Sequence, residues 1–125
     1  MKKLTIIIPS YNEEKNVRPF YQETVKYLVD PDYTYELLYV NDGSRDATLA
    51  EIKAVAAEDP RVRYISFSRN FGKEAAMHAG LEHVADSDAV VVIDCDLQQP
   101  PSLIPEMVKY HKEGYKIGYA KGRTR

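Results

Sequence analysis

The chain lacks the features of secreted and membrane-spanning proteins. It has no tryptophan and a single cysteine among 125 residues, so no internal disulfide can form. One cysteine fits a reducing compartment, and residues 1–3 run into a predicted strand too short for the apolar segment of a signal peptide. The longest unbroken apolar run, residues 89–93, is far below the roughly 18 residues needed to cross a bilayer. We therefore expect a cytoplasmic chain.

Several functional classes are disfavoured by what is missing. With 17 basic and 19 acidic residues the net charge is −2, so there is no basic excess to bind nucleic acid. No Gly-x-Gly-x-x-Gly motif follows the first predicted strand, and there is no Walker A lysine loop, which disfavours dinucleotide oxidoreductases and P-loop NTPases. There is no serine nucleophile elbow, and Cys95 lies between two acids that raise its pKa. No residue is an obvious covalent nucleophile.

The residues that are present predict an α/β fold in one domain, residues 1–125. Hydrophobic residues make up 44% of the chain, enough for a core. Apolar runs bounded by turn residues alternate with amphipathic stretches, which is typical of a mostly parallel, Rossmann-like sheet with helices on both faces. The predicted strands cover residues 4–9, 35–41, 62–68, 90–93 and 116–120. The predicted helices cover residues 15–29, 47–58, 73–84 and 100–112.

Polar loops follow four of these strands, at residues 10–13, 42–44, 69–73 and 94–98. In parallel α/β sheets, ligands bind beyond the carboxyl ends of the strands. We expect these four segments to form one rim around a binding site.

The segment after the fourth strand predicts a metal and phosphate site. Asp94 and Asp96 are two positions apart, so in an extended chain their side chains point the same way. Mg²⁺ takes oxygen ligands, commonly one or two carboxylates together with phosphate oxygens, and Gln98 offers a third oxygen. Cys95 faces the opposite way and is expected to pack in the core. The alternative is that such aspartates only form a turn or cap the next helix.

The other loops carry further candidates, each with a simpler alternative. The position of Asp42 suits a carboxylate that accepts a base N–H or a ribose hydroxyl. The simpler alternative is that it only forms an Asp-Gly turn. Glu13 is a second candidate for ligand contact. The simpler alternative is that it only complements the dipole of the first helix. Arg69 and Lys73 flank a loop that leads into a helix N-terminus, where backbone N–H groups and a cation favour phosphate binding. The simpler alternative is that both are solvated surface charges.

These motifs together resemble family 2 glycosyltransferases, most closely the polyprenyl-phosphate type that includes dolichol-phosphate mannosyltransferases and bactoprenol glucosyltransferases. The four motifs occur in the family's order and spacing, and the resemblance covers nearly the whole chain. They are Ile8-Pro9-Ser10-Tyr11-Asn12-Glu13-Glu14, Val40-Asn41-Asp42-Gly43-Ser44, Arg69-Asn70-Phe71-Gly72-Lys73 and Asp94-Cys95-Asp96-Leu97-Gln98.

The resemblance implies a GT-A fold and inverting transfer of a sugar from a UDP-sugar or GDP-sugar to a polyprenyl phosphate. It implies Mg²⁺ or Mn²⁺ held with the diphosphate by Asp94, Asp96 and Gln98. The nucleotide-sugar would be bound by these two aspartates and by residues of the other loops, namely Pro9, Tyr11, Glu13, Asp42, Arg69, Gly72 and Lys73.

The resemblance also implies that residues 1–125 are the donor-binding part of a longer enzyme at the inner face of the plasma membrane. Its acceptor segment and catalytic residues would follow Arg125, and Arg123 and Arg125 would begin a basic segment that meets phosphates. We therefore expect this chain to bind donor without transferring sugar. Three alternatives remain open, namely a saccharide acceptor, a phosphohydrolase and a non-catalytic nucleotide-binding module. The oligomeric state is also open, with a homo-oligomer as one alternative.

Overall fold

A computed structural model describes residues 1–97 and 100–114. It contains four parallel strands, β1 (Lys2–Ser10), β2 (Tyr33–Asn41), β3 (Val62–Ser66) and β4 (Ala89–Val92). The helices are α1 (Val17–Thr24), α2 (Thr48–Glu58), α3 (Lys73–His83) and α4 (Leu103–Lys112), and a 3₁₀ turn, Val25–Tyr27, extends α1. The predicted fifth strand, residues 116–120, lies outside the described residues.

The sheet order is β3-β2-β1-β4. The strands β2 and β3 are added in turn on one side of β1, and β4 then pairs with β1 on the other side. Ile7 of β1 is aligned with Leu38 of β2 and Val92 of β4. The connection from β3 to β4 crosses to the opposite side of β1, which makes the gap between β1 and β4 a topological switch point. The carboxyl ends of β1 and β4 flank this point. Open α/β sheets bind ligands at such points.

Helices cover both faces of the sheet, as predicted. Alternate residues of β1 point to opposite faces, so Ile6 and Ile8 pack on one side and Ile7 on the other. The first side carries α1, α2 and α4, whose Phe20, Ile52 and Ile104 are fully buried. The second side carries α3, packed through residues that include Ala76. The apolar periodicity therefore predicted the layering correctly.

Most element boundaries differ from the prediction by one to three residues, and the changes at the first helix and the fourth strand affect the site. The first helix begins two residues late because residues 13–16 form a turn, with the Asn16 and Val17 N–H groups both donating to the Glu13 carbonyl. It tightens to 3₁₀ geometry after Thr24, where residues as far as 29 were predicted to be α-helical. The fourth strand ends at Val92, so Asp94 lies just beyond it and Asp96 lies in the turn that follows. No helix in the described part of the chain is long and apolar enough to cross a membrane.

Candidate functional site

A cleft of about 280 Å³ lies at the carboxyl edge of the sheet. All four loops predicted to form the rim contribute to it. Its lining consists of Pro9, Ser10, Tyr11, Glu13, Asp42, Lys73, Asp94 and Asp96. The structure therefore brings together seven of the nine predicted nucleotide-sugar residues. Arg69 and Gly72 are not among the lining residues, and Gln98 lies outside the described part of the chain.

The loop after β1 is attached to the start of α2 by backbone contacts. The Glu13 N–H donates to the Thr48 hydroxyl at 2.7 Å, and the Asn12 side chain accepts the Arg45 N–H at 2.9 Å. The Glu13 carboxylate accepts the Asn16 amide at 2.6 Å and lines the cleft. Since α1 has no acidic residue in its first turn, the alternative that Glu13 serves that helix dipole is wrong.

Asp42 is almost fully buried and binds the loop that follows β3. Its carboxylate accepts the Phe71 N–H at 2.8 Å, the Gly72 N–H at 3.0 Å and the Asn70 side-chain amide at 3.0 Å. A carboxylate has about four acceptor positions, so these three donors leave one for a ligand. Asp42 is therefore an anchor for the loop as well as a wall of the cleft, which is more than a simple Asp-Gly turn requires.

Gly43 allows the two loops to meet. Its φ is +66°, and a Cβ built on it would lie 2.0 Å from the Arg69 carbonyl carbon. A side chain is therefore excluded both by backbone conformation and by space. This close approach lets the Asp42 carboxylate reach the N–H groups just before α3.

Lys73 and Asp94 join two sides of the cleft. Lys73 is the first residue of α3, and its Nζ lies 2.7 Å from one Asp94 carboxylate oxygen and 2.8 Å from the other. The Asp94 side chain is 16% exposed and the Lys73 side chain 38%, so the pair is partly shielded from water on the Asp94 side. Lys73 is therefore an ion-paired residue of the cleft, although its side chain is still partly exposed.

Asp94 and Asp96 reach the cleft from the segment after β4, in which Asp96 lies in a turn. The last hydrogen bond to β1 is donated by the Ile93 N–H, and Leu97 has a φ of +63°. Both aspartates line the same cleft, although the chain that carries them is not the regular extended strand on which the prediction was based.

Metal ligation is limited by the number of carboxylates. In the described ranges, 1–97 and 100–114, no group of three or more His, Cys, Asp or Glu side chains is arranged to hold a metal ion. Mg²⁺ and similar ions are commonly bound by one or two carboxylates plus substrate phosphates and water. Asp94 and Asp96 offer two such carboxylates, so the remaining ligands would come from a bound diphosphate, and Lys73 would have to leave at least one Asp94 oxygen to the metal.

Cys95 packs into the core, as predicted. Its side chain is fully buried in the cluster that includes Ile93 and Ile104. Burial, together with nearby acidic side chains, raises the pKa of its thiol to about 12. The thiol is therefore protonated at neutral pH and unsuited to nucleophilic catalysis.

Arg69 lies outside the cleft. Its guanidinium carbon is 4.7 Å from the centre of the Phe71 ring, which is 52% exposed. Gly72 has a φ of +103° and contributes its N–H to Asp42 rather than a surface to the cleft.

Ser10, Thr48 and Asn70 were not predicted to have a role. Ser10 lines the cleft and donates its hydroxyl to the Ile8 carbonyl. Thr48 and Asn70 hold cleft residues through long-range hydrogen bonds. Ser10 and Asn70 lie inside the motifs noted in the sequence, but no local pattern indicates which distant group they contact.

Comparisons with known proteins show which sequences this chain resembles. The family model described as glycosyl transferase family 2 matches residues 5–124. The protein CsbB of Bacillus subtilis (strain 168) is 53% identical over 112 residues, which are 90% of this chain and 34% of CsbB. The bactoprenol glucosyl transferase of Shigella phage SfV is 42% identical over 123 residues, 98% of this chain and 40% of that protein. The chain thus spans well under half the length of these relatives.

A solved structure shows the same fold. It is the mannosyltransferase PcManGT from Pyrobaculum calidifontis in complex with GDP-Man and Mn²⁺, which superposes with a TM-score of 0.74 at 24% identity. The match covers 86% of this chain and 31% of PcManGT.

Proposed function

This chain belongs to glycosyl transferase family 2 and has the GT-A fold, and from that premise we propose that it forms the nucleotide-sugar-binding part of a glycosyltransferase. The donor is a UDP-sugar or GDP-sugar, and the acceptor of the complete enzyme is a polyprenyl phosphate. The convergence of Lys73, Asp94 and Asp96 in one cleft carries the proposal. Similarity to a bactoprenol glucosyl transferase supports the lipid acceptor.

We assign the cleft residues to two ends of the donor. Pro9, Tyr11, Glu13 and the remaining acceptor position of Asp42 hold the nucleoside. Lys73 compensates the diphosphate charge, while Asp94 and Asp96, with Gln98, hold Mg²⁺ or Mn²⁺. The structure of PcManGT, in complex with GDP-Man and Mn²⁺, supports this choice of ligand class. Arg69 and Gly72 act through the loop, because neither lines the cleft.

The proposed reaction is an inverting displacement at the anomeric carbon. An oxygen of the lipid phosphate forms the new bond to that carbon, and the bond between it and the nucleoside diphosphate breaks. A phosphate monoester is already substantially ionised at neutral pH, since its second pKa is about 6, so it needs no strong general base. Charge accumulates on the leaving diphosphate, where Lys73 is placed to stabilise it. A divalent ion, when bound, adds further electrostatic stabilisation at that point.

The lipid acceptor implies a location for the complete protein. A polyprenyl phosphate resides in a bilayer, so the donor cleft would open on the cytoplasmic side of the plasma membrane. The catalytic residues on the acceptor side are proposed to lie beyond Arg125.

Isothermal titration calorimetry with UDP and GDP, with and without Mn²⁺, tests the donor site. We expect one of the two nucleotides to bind in a metal-dependent way. Asp96→Ala should weaken the metal-dependent affinity roughly tenfold to a hundredfold, since a charged ligand contact is lost. Glu106→Ala, at an exposed position on α4 that does not line the cleft, is the matched control. Equal affinities with and without Mn²⁺ in wild type and Asp96→Ala would overturn the metal assignment.

A nucleoside-specific test addresses Asp42. Asp42→Asn should weaken UMP or GMP binding even without metal, because the carboxylate position that accepts from the base or ribose is lost. Equal affinity of wild type and variant for both monophosphates would remove Asp42 from the proposed nucleoside contacts.

A further inference from the structure

We propose that Asn70 is a positioning residue that sets the place of Lys73 in the donor cleft by acting through Asp42. The ligand on which this placement acts, a nucleoside diphosphate, rests on the function proposed above. Asn70 does not line the cleft, and its contacts are directed to Asp42.

The Asn70 side chain binds two groups of one residue. Its amide nitrogen donates to the Asp42 carbonyl oxygen at 3.1 Å and to a carboxylate oxygen at 3.0 Å. A primary amide has two N–H donors, which suits this pair of acceptors. With Asn70 in place Asp42 is only 3% exposed, so the amide both binds these oxygens and shields them from water.

The same carboxylate fixes the backbone directly before Lys73. Phe71 and Gly72 donate their N–H groups to the two different carboxylate oxygens, which determines the orientation of both peptide units. The helix α3 begins at the next residue, Lys73. Rotation of the Asp42 carboxylate would therefore move the first turn of α3.

Lys73 connects the contacts of Asn70 and Asp42 to the donor cleft, which it lines. Its ammonium group contacts both Asp94 carboxylate oxygens, so a contact chain runs from the end of β2 to the turn after β4. Lysine has a flexible four-carbon side chain whose ordering is entropically costly. A fixed backbone origin restricts where the ammonium group can lie, so the charge is already placed when a diphosphate arrives.

The first test needs no ligand. In NMR spectra of lysine side chains, Asn70→Ala should shift the Lys73 Cε and Hε resonances toward the values of an exposed lysine. Lys53, exposed on α2, is the internal control and should not move. The near-isosteric Asn70→Asp replaces the donor by an acceptor and should shift Lys73 in the same direction. An unchanged Lys73 resonance in both variants would overturn the proposal, and a melting temperature close to wild type shows that the variants are folded.

The second test is a double-mutant cycle by calorimetry, using UDP and GDP with Mn²⁺. Asn70→Ala should weaken diphosphate affinity about fivefold to tenfold, the loss typical of one ordinary hydrogen bond, because Asn70 acts on the ligand only through Asp42 and Lys73. In a Lys73→Met background the same substitution should have little further effect, because its action depends on Lys73. An undiminished effect in that background would show that Asn70 acts on the nucleoside contact of Asp42 instead, which overturns the proposal.

The two tests separate this inference from the proposed function. If wild type binds neither nucleotide but Lys73 responds to Asn70→Ala, the donor assignment fails while the structural link from Asn70 to Lys73 stands. If wild type binds a nucleotide and Lys73 does not respond, the positioning role fails while the donor site stands.

Discussion

At the scale of single residues, the cleft depends on side chains that serve structure and ligand at once. Asp42 accepts three hydrogen bonds from the loop before α3 and also lines the cleft. Gly43 makes this possible by having no side chain where the two loops touch. A substitution at either residue is therefore expected to change the site through the backbone as well as through direct contacts.

Gly43→Ala should strongly destabilise the protein. The added Cβ would lie 2.0 Å from Arg69 backbone, which is not a flexible group, and the residue also has φ of +66°. Gly114→Ala is the matched control, because Gly114 has a φ of +99° but open space around it. We expect a loss of about 3 kcal/mol or more for Gly43→Ala and about 1–2 kcal/mol for Gly114→Ala. Urea unfolding measures both, and equal losses would show that steric contact at Gly43 contributes nothing.

Cys95 should resist modification in the folded protein. Its thiol is fully buried, and burial raises its pKa to about 12, so almost no thiolate is present at pH 8. Reaction with a thiol-specific chromogenic reagent at pH 8 should be slow in buffer and complete within minutes in 8 M urea at about the rate of a free cysteine. Rapid labelling of the native protein would place the thiol at the surface.

At the scale of elements, the junction between α2 and β3 is held by a carboxylate. Asp59 accepts from the Arg61 guanidinium at 2.8 Å, from the Arg61 N–H at 2.9 Å and from the Tyr21 hydroxyl at 2.7 Å. These contacts attach the end of α2 to α1 and to the start of β3. The Arg61 guanidinium is the main cause of the lowered pKa of Asp59, and the N–H and hydroxyl donors add to it.

The lowered pKa predicts an acid-dependent contribution to stability. The folded state binds a proton on Asp59 less readily than the unfolded state, so the contribution is present above about pH 4 and is lost as the pH falls below it. Asp59→Asn should cost about 1–2 kcal/mol at pH 7, since Arg61 is partly exposed, and less at pH 3. Urea unfolding at both pH values measures this. Glu106→Gln, exposed on α4, should cost little at either pH, and a constant loss for Asp59→Asn would contradict the assignment.

At the scale of the whole molecule, the sheet order assembles a site from distant parts of the chain. The cleft joins residues at the carboxyl end of β1 with residues that follow β1, β2, β3 and β4. Because β1 is central, with β2 on one side and β4 on the other, the loops after β1 and β4 lie next to each other at the switch point. Such a site exists only in the folded chain, so a ligand that fills it must stabilise the fold.

Ligand-dependent stabilisation follows from this. At one hundred times its dissociation constant, the preferred nucleoside diphosphate with Mn²⁺ should add about 2.7 kcal/mol and raise the Tm by about 10 °C. Asp96→Ala should lose the part of this rise that depends on Mn²⁺. Differential scanning calorimetry measures the shift, and the absence of any rise in wild type at that concentration would contradict binding to the folded state.

The sequence by itself determined the fold class, the layering of helices on both faces and the four loops of the rim. These follow from local periodicity and turn residues, and Asp94, Asp96, Asp42 and Lys73 could be selected because their chemistry suits a nucleotide and a metal. The tertiary structure alone decided which groups meet. It pairs Lys73 with Asp94, assigns three Asp42 acceptor positions to residues 70–72 and places Arg69 over Phe71 instead of in the cleft. The physical reason is that these contacts depend on strand order and on hydrogen bonds between residues far apart in the chain, which no local pattern records.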